Sequence, residues 1–289
     1  MAHGDQRIRI VERNKPGIVS ALNTGIEAAN GDYIARMDAD DVSMPERLQL
    51  QLAHLQQQSP NTIVGGVVDI VGESGAGTRY YQQWLNNLTT ATAIERDIFI
   101  ESPLPHPTWF ASTGVFRRLR YRDCEWAEDY DFLLRAWYDG IPMIKPQPTI
   151  LQWREHPHRL THRDARYART QFTNAKASML SQTLCNNRNA IICGTGRNAT
   201  RLHDALLNCN IKTSCFVDLD PVQQGRTRRH LPIIGYETLR RKYSNGDDNK
   251  PTERPLIISA ITQRDAGKKL RLWLLGNGMT ELLDFVIAG

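Results

Sequence analysis

No apolar run in the 289-residue chain approaches the roughly 20 residues needed to cross a bilayer. The first residues, Met1 to Gln6, are polar and lack the apolar stretch of a secretory signal. Cysteine is scarce: Cys124, Cys185, Cys193, Cys209 and Cys215 make an odd count, and no pair has metal-ligand spacing. That argues against a disulfide framework or a zinc site and for reduced thiols in a cytoplasmic protein. There is no internal repeat and no low-complexity tract. A large excess of one charge is also missing. The net charge of +5 permits attraction to phosphates or an anionic membrane but requires neither, and nothing points to a nucleic-acid partner. What is present is ordinary for a globular protein: 40% hydrophobic and 23% charged residues, with length for two domains of common size or one large one.

Periodicity divides the chain. Arg7 to Glu12 alternates in strand fashion, and Ile18 to Ala29 follows helical spacing with Gly31 as a stop. Tyr33 to Met37 reads as a strand running into Asp38-Ala39-Asp40-Asp41. Ser43-Met44-Pro45-Glu46 has the form of a capping box, ahead of a helix whose apolar face is Leu48, Leu52 and Leu55. Ile63 to Val71 is strand-like, and Gly72 to Gly77 is a turn or loop. Pro103, Pro105 and Pro107 predict an extended loop around His106. Asp129 to Tyr138 predicts a helix burying Phe132, Leu133, Ala136 and Trp137. A further helix spans Ala165 to Leu184. From Asn189 onward, strands at 190–193, 215–218, 231–234, 256–261 and 283–287 alternate with helices at 199–207 and 266–275, which predicts a parallel sheet covered on both faces. The polar segment 243–253 reads as a surface loop.

Open α/β sheets bind ligands at the carboxyl ends of their strands. Asp38, Asp40 and Asp41 lie at such an end, where carboxylates one residue apart can reach one hard cation such as Mg²⁺ or Mn²⁺. A solvated, helix-capping turn fits the same residues. Glu128 and Asp129 at a helix start are read either as dipole partners or as a catalytic pair. Arg117, Arg118, Arg120 and Arg122 form a basic patch that is a solvated face or a contact for an anionic acceptor or membrane surface. Gly194-Thr195-Gly196-Arg197-Asn198-Ala199 follows a strand and opens a helix, the context of a phosphate-binding turn, and Asp218 ends the next strand, where a ribose-binding carboxylate lies.

The stretch from Gly17 to Gly25, then Asn30 to Asp41, then Pro45-Glu46-Arg47-Leu48 closely resembles family 2 glycosyltransferases, with an α/β fold of GT-A type. The resemblance implies an inverting transfer from a nucleotide-sugar donor to a saccharide or lipid-linked acceptor. It makes Asp38 and Asp40 the Asp-x-Asp element that touches the donor ribose and holds the metal, and leaves Asp41 to support the loop or cap the helix. Asn23, Arg36 and Arg154 fall on the donor side. Asp129 becomes the base, with Glu128 beside it. Trp153-Arg154-Glu155-His156 corresponds to an Arg-x-His segment, so that His156 completes the metal sphere or is a surface histidine near His158 and His162. His106-Pro107-Thr108 resembles an acceptor-side loop.

The resemblance runs from residue 7 to about 160 and begins inside the family's fold. Relatives open with two strands, the second ending in Asp-Asp-Gly-Ser, and no Asp-Gly-Ser occurs here. The expectation is therefore an incomplete domain over 1–164, completed by another chain or impaired, and located in the cytoplasm or against the inner face of the membrane. A linker helix (165–188) and a small Rossmann-like domain (189–289) follow. That last domain resembles modules attached to sugar-modifying enzymes and CoA-binding proteins, with a dinucleotide or nucleotide held by Gly194, Gly196 and Asp218. It has no Tyr-x-x-x-Lys pair of the short-chain reductase kind. Two other functions stay open: a non-catalytic nucleotide-binding or partner-interaction protein, and an NAD-dependent oxidoreductase or epimerase acting through the second domain.

Overall fold

Gly65 and Gly66 stand where a β-rich run changes sheets. A Cβ on Gly65 would sit 2.6 Å from Leu104 Cδ2, and one on Gly66 would sit 2.0 Å from Ile150 Cδ1. The run expected at 63–71 therefore splits into β3 (Ile63–Val64) and β4 (Val67–Gly72), each in a different sheet. The computed structural model describes residues 5–12, 15–72, 75–244 and 254–289. The expected loop at 243–253 lies almost wholly outside them. The chain forms two units, one of Met1–Ala91 with Leu104–Arg159 and one of Thr92–Pro103 with Leu160–Gly289.

In the first unit, β1 (Tyr33–Ala35) pairs antiparallel with β5 (Phe110–Ser112), which continues through β3 to β6 (Met143–Ile144). A second sheet has the order β2 (Val42–Ser43), β7 (Thr149–Glu155), β4. The chain passes from the first sheet to the second between β1 and β2, between β3 and β4, and between β6 and β7. Around them lie α1 (Ile18–Ala28), α2 (Arg47–Gln56), α3 (Ala76–Asn87), α5 (Thr113–Leu119) and α6 (Glu128–Tyr138).

Several expectations for this unit are corrected. Arg7 to Glu12 forms no strand: Ile8 and Ile10 are 54% and 83% exposed, and no strand among the described residues supplies the hydrogen bonds that hold an alternating segment extended. The capping box is absent because Ser43 belongs to β2, opposite Leu151. Helix α2 starts behind Glu46, with no side-chain cap. Its buried face is Arg47, Gln51 and Leu55, whereas Leu48 is 55% exposed. Helices α3 and α5, and α4 (Ala91–Asp97), fill stretches without clear periodicity in the sequence. The loop at His106 is a buried 3₁₀ turn (His106–Thr108).

In the second unit a six-stranded sheet has the order β10 (Thr227–Arg228), β11 (Leu231–Ile234), β9 (Thr213–Val217), β8 (Ala190–Cys193), β12 (Leu256–Ser259), β13 (Phe285–Ile287). All neighbours are parallel except β10 and β11. The apolar runs predict this well, since strands buried on both faces need no alternation. Helices α9 (Arg197–Asn208), α10 (Tyr236–Ser244) and α11 (Arg264–Gly276) connect them. After α7 (Leu160–Arg163), the chain within 165–188 forms α8 (Arg169–Gln182), which buries Ala175, Ala177, Met179 and Leu180 in this unit. Among the described residues no helix is long and apolar enough to cross a membrane.

Candidate active site

The acidic turn occupies the first crossing between the two sheets of unit one. β1 ends at Ala35, and Arg36 extends its ladder by donating its N–H to Trp109 O at 2.8 Å. β2 then pairs with β7. The residues between bring Asp38, Asp40 and Asp41 together, with one carboxylate oxygen of each lying within 4.8 Å of the others. Each is held differently. Arg36 grips Asp38 with two N–H groups at 2.6 and 2.8 Å. His156 Nε2 lies 2.8 Å from Asp40 Oδ2. The His158 N–H donates to His156 Nδ1, so the neutral ring carries its proton on Nε2 and donates to Asp40. Asp41 is 8% exposed; its Oδ1 accepts the Arg154 main-chain N–H at 2.9 Å, and its Oδ2 is buried with no hydrogen-bond partner among the described residues.

Electrostatics follow from this packing. Burial pushes Asp41 up to about 6, and the charges of Asp38 and Asp40 add to the shift. The histidine hydrogen bond holds Asp40 below the usual carboxylate range. Arg159, stacked 4.4 Å over the Trp153 ring and paired with Glu155 at 2.8 Å, lowers both. A buried carboxylate oxygen without a partner costs stability unless a cation or donor meets it. Three carboxylates around it are the hard-oxygen donor set that Mg²⁺ or Mn²⁺ takes, so the residues fit such an ion. The grouping includes Asp41, to which the resemblance gives the role of supporting the loop or capping the helix, while His156 bonds to Asp40.

The second acidic element opens α6. Glu128 is fully buried, and Asp129 is half-buried with Oδ1 accepting the Tyr130 N–H at 2.7 Å. Asp131 is structural: it holds Arg122 at 3.0 Å and Arg135 at 2.8 Å. Near both acidic elements lies a wall of rings. His106 Nε2 is 2.7 Å from Tyr121 Oη, and its ring lies 4.4 Å from that of Trp109. Burial pushes His106 well down and the Tyr121 phenol well up. Arg36 acts on both, and Asp129, Glu128 and Asp38 all act on Tyr121. The two carboxylate groups therefore lie within electrostatic reach of one phenol.

The other expected residues lie outside the acidic turn and the start of α6. The amide of Asn23 donates to Tyr121 O at 2.8 Å and accepts its N–H at 3.0 Å, an arrangement that positions Tyr121. Arg154 meets Asp41 through its main chain, and its side chain is exposed. The basic patch is largely consumed internally: Arg117 reaches Ala29 O, Arg120 pairs with Glu27, and Arg122 pairs with Asp131. Gly194 and Gly196 form the expected turn in unit two, where Asp218 accepts from the Thr195 hydroxyl.

The sequence model of glycosyl transferase family 2 matches residues 1–119. These residues belong to that family. The chain is also similar to an uncharacterised glycosyltransferase of Haemophilus influenzae, 29% identical over 137 residues, which are 44% of this chain and 42% of that protein. An amylovoran biosynthesis glycosyltransferase, AmsE, of Erwinia amylovora is 26% identical over 139 residues, 48% and 50% of the two chains. An uncharacterised glycosyltransferase of Methanocaldococcus jannaschii is 27% identical over 135 residues, 46% and 45%. The chain spans about half the length of the curated relatives it matches.

The family 2 segment holds Asn23, Arg36 and the three aspartates; Glu128, Asp129, Arg154 and His156 lie beyond it. It also holds a buried polar support for the acidic turn that the sequence analysis does not name. Arg47, 2% exposed, donates to the Arg36 carbonyl at 2.6 Å and to Gln51 Oε1 at 3.0 Å. Gln51 Nε2 lies 3.0, 2.9 and 2.6 Å from the carbonyls of Val64, Gly65 and Thr108. One signal was available: Arg47, Gln51 and Leu55 share a helical face by i, i+4 spacing.

Proposed function

We propose that the chain performs metal-dependent, inverting transfer of a sugar from a nucleotide-sugar donor to a hydroxyl of a saccharide or lipid-linked acceptor. The observation that carries this is the unpartnered, buried Asp41 Oδ2 beside Asp38 and Asp40. Asp38, Asp40 and Asp41 hold Mg²⁺ or Mn²⁺, which when bound neutralises the donor diphosphate as it leaves. Arg36 orients Asp38, and His156 orients Asp40. Arg47 and Gln51 fix the main chain from which these groups project.

Asp129 is the general base. It takes the acceptor hydroxyl proton while the acceptor oxygen forms a bond to the anomeric carbon. The bond from that carbon to the phosphate oxygen breaks, its electron pair leaves with the nucleoside diphosphate, and the anomeric centre inverts. Glu128, fully buried, precedes Asp129 at the start of α6. The polysaccharide named for the Erwinia relative makes a saccharide acceptor the first to try.

The test is Mn²⁺ titration of the whole chain, followed by measurement of nucleoside diphosphate release from UDP-glucose, ADP-glucose and GDP-mannose with oligosaccharide acceptors. Metal binding lost in Asp38→Asn and Asp41→Asn, with acceptor-dependent release, is expected. Absence of Mn²⁺ binding by the unmodified chain, or binding indifferent to both substitutions, would overturn the reading.

A further inference from the structure

The second unit contains a cavity system that the transfer reaction does not use. β8 and β12 are neighbours in the sheet, and β9 lies on the far side of β8, so the connections diverge at the carboxyl ends of β8 and β12. Divergence of this kind opens a crevice in a parallel sheet. Here it is a cleft of about 700 Å³ lined by the Gly194–Arg197 turn, Asp218 and Thr262 among others. Gly194 has φ +105°, and a Cβ there would press on Ile261 Cγ1 at 3.3 Å, so the main chain is bared toward the cleft. A chamber of about 410 Å³ adjoins it, and Arg169, Asn198 and Arg201 line both.

The two parts differ in chemistry. Arg169, Arg197 and Arg201 line the cleft, and none of them makes an ion pair among the described residues; Arg201 donates only to Asn198 Oδ1, at 2.9 Å. Three guanidinium groups without carboxylate partners, beside an uncapped helix start, suit a diphosphate. The chamber instead contains Lys176 and Glu101. Lys176 is 8% exposed, and its ammonium donates to Ile100 O at 2.8 Å and Ala288 O at 3.0 Å, leaving a third N–H without an acceptor among the described residues. Glu101 accepts the Ser102 N–H on Oε1 at 3.1 Å, and Oε2 has no hydrogen-bond partner among the described residues. Burial pushes Lys176 down to about 8 and Glu101 up, so the chamber disfavours net charge in its guest. A spare donor beside a spare acceptor matches hydroxyl groups, which do both. It matches the ring of oxidised NAD less well, because that ring offers a single amide in place of several hydroxyl groups.

We propose that unit two binds a nucleotide-sugar of its own. Its diphosphate lies on the Gly194–Arg197 turn against Arg169 and Arg201, and its sugar lies in the chamber on Lys176 and Glu101. Asp218, already bonded to the Thr195 hydroxyl and to the Asp220 N–H at 3.0 Å, borders the nucleoside end with the 70%-exposed Leu219. The site stands apart from the transfer reaction and serves to hold donor or sense it.

The test is calorimetric titration of the full chain carrying Asp38→Asn, in EDTA, so that the metal-dependent site is silent. Probes are UDP-glucose, ADP-glucose, GDP-mannose, the three bare diphosphates, and NAD⁺. At least one nucleotide-sugar is expected to bind at one equivalent and more tightly than its bare diphosphate. Arg197→Glu with Arg201→Glu should weaken both by about tenfold or more. Lys176→Met and, as a gentler change, Glu101→Gln should weaken the nucleotide-sugar and leave the diphosphate unchanged. Binding of NAD⁺ alone, binding of nothing, or equal loss of sugar and diphosphate in Glu101→Gln would each overturn the proposal. None of these outcomes bears on metal binding at Asp38, so failure here is distinct from failure of the transferase reading.

Discussion

Asp41 joins two strands and faces Asp38 and Asp40 with the same carboxylate: Oδ1 accepts the Arg154 N–H at 2.9 Å, while Oδ2 is buried without a hydrogen-bond partner among the described residues. Asp41→Asn keeps an oxygen for Arg154 and removes one of three crowded negative charges. The metal-free variant should therefore melt at the same temperature as the parent or a few degrees higher. Mn²⁺ at a hundredfold excess over its Kd should stabilise the parent by about 2.7 kcal/mol and the variant far less. Thermal unfolding with and without Mn²⁺ checks both. A metal-free variant clearly less stable than the parent would mean that Asp41 serves the fold alone.

Asp129→Asn tests the base. The amide cannot take a proton, so transfer should fall by about 10²- to 10⁴-fold. Mn²⁺ affinity should be unchanged, because Asp129 is not among the grouped carboxylates. Single-turnover assays beside metal titration separate the two effects. Loss of metal binding in this variant would remove Asp129 from the role of base.

Lys145 should make the stability of unit one depend on pH. It is 3% exposed, its ammonium donates to the Leu85 carbonyl, and burial pushes it down to about 7 from an ordinary 10.5. Below about pH 7 both folded and unfolded chains hold the proton. Between about 7 and 10.5 only the unfolded chain holds it, so stability rises with pH in that window. The slope approaches about 1.4 kcal/mol per pH unit. Lys145→Met should flatten this rise, which denaturant titrations at pH 7 and pH 9 would reveal.

The Arg47–Gln51 network should be costly to break. Gln51→Ala removes the donor from three carbonyls and the acceptor from Arg47. A loss of about 2–4 kcal/mol is expected. Mn²⁺ affinity should also drop, because Arg47 holds the Arg36 carbonyl and Arg36 grips Asp38. Gly66→Ala should cost about 1–3 kcal/mol by overpacking against Ile150. In an Ile150→Ala background the same glycine substitution should cost less, because the clashing Cγ1 and Cδ1 atoms are gone.

Features whose physics is local or periodic were readable along the chain. The continuous apolar runs at 190–193 and 256–259 became adjacent central strands, since a segment buried on both faces needs only bulk and β-branching. The α6 helix and its acidic start were readable for the same reason, although Leu134 is buried where Trp137 was expected to be and Trp137 is half-buried. Polar burial was not readable. Arg47 and Gln51 look like solvent residues until the ends of β1 and β3 and the 3₁₀ turn present them with carbonyls. Asn23 looks like a ligand contact until Tyr121, 98 positions away, takes both ends of its amide.

The sequence by itself determined that residues 38, 40 and 41 offer three carboxylates at a strand end, that a glycine turn opens a helix in the second half, and that the C-terminal strands are parallel. Each rests on spacing along a few neighbouring residues. Only the tertiary structure decided which oxygen of which aspartate is left without a partner, that His156 bonds to Asp40, and that Lys176 and Glu101 share a chamber with the arginine-lined cleft. Those depend on burial and on partners distant in the chain, because desolvation and hydrogen-bond satisfaction are properties of packed surroundings and not of sequence neighbours.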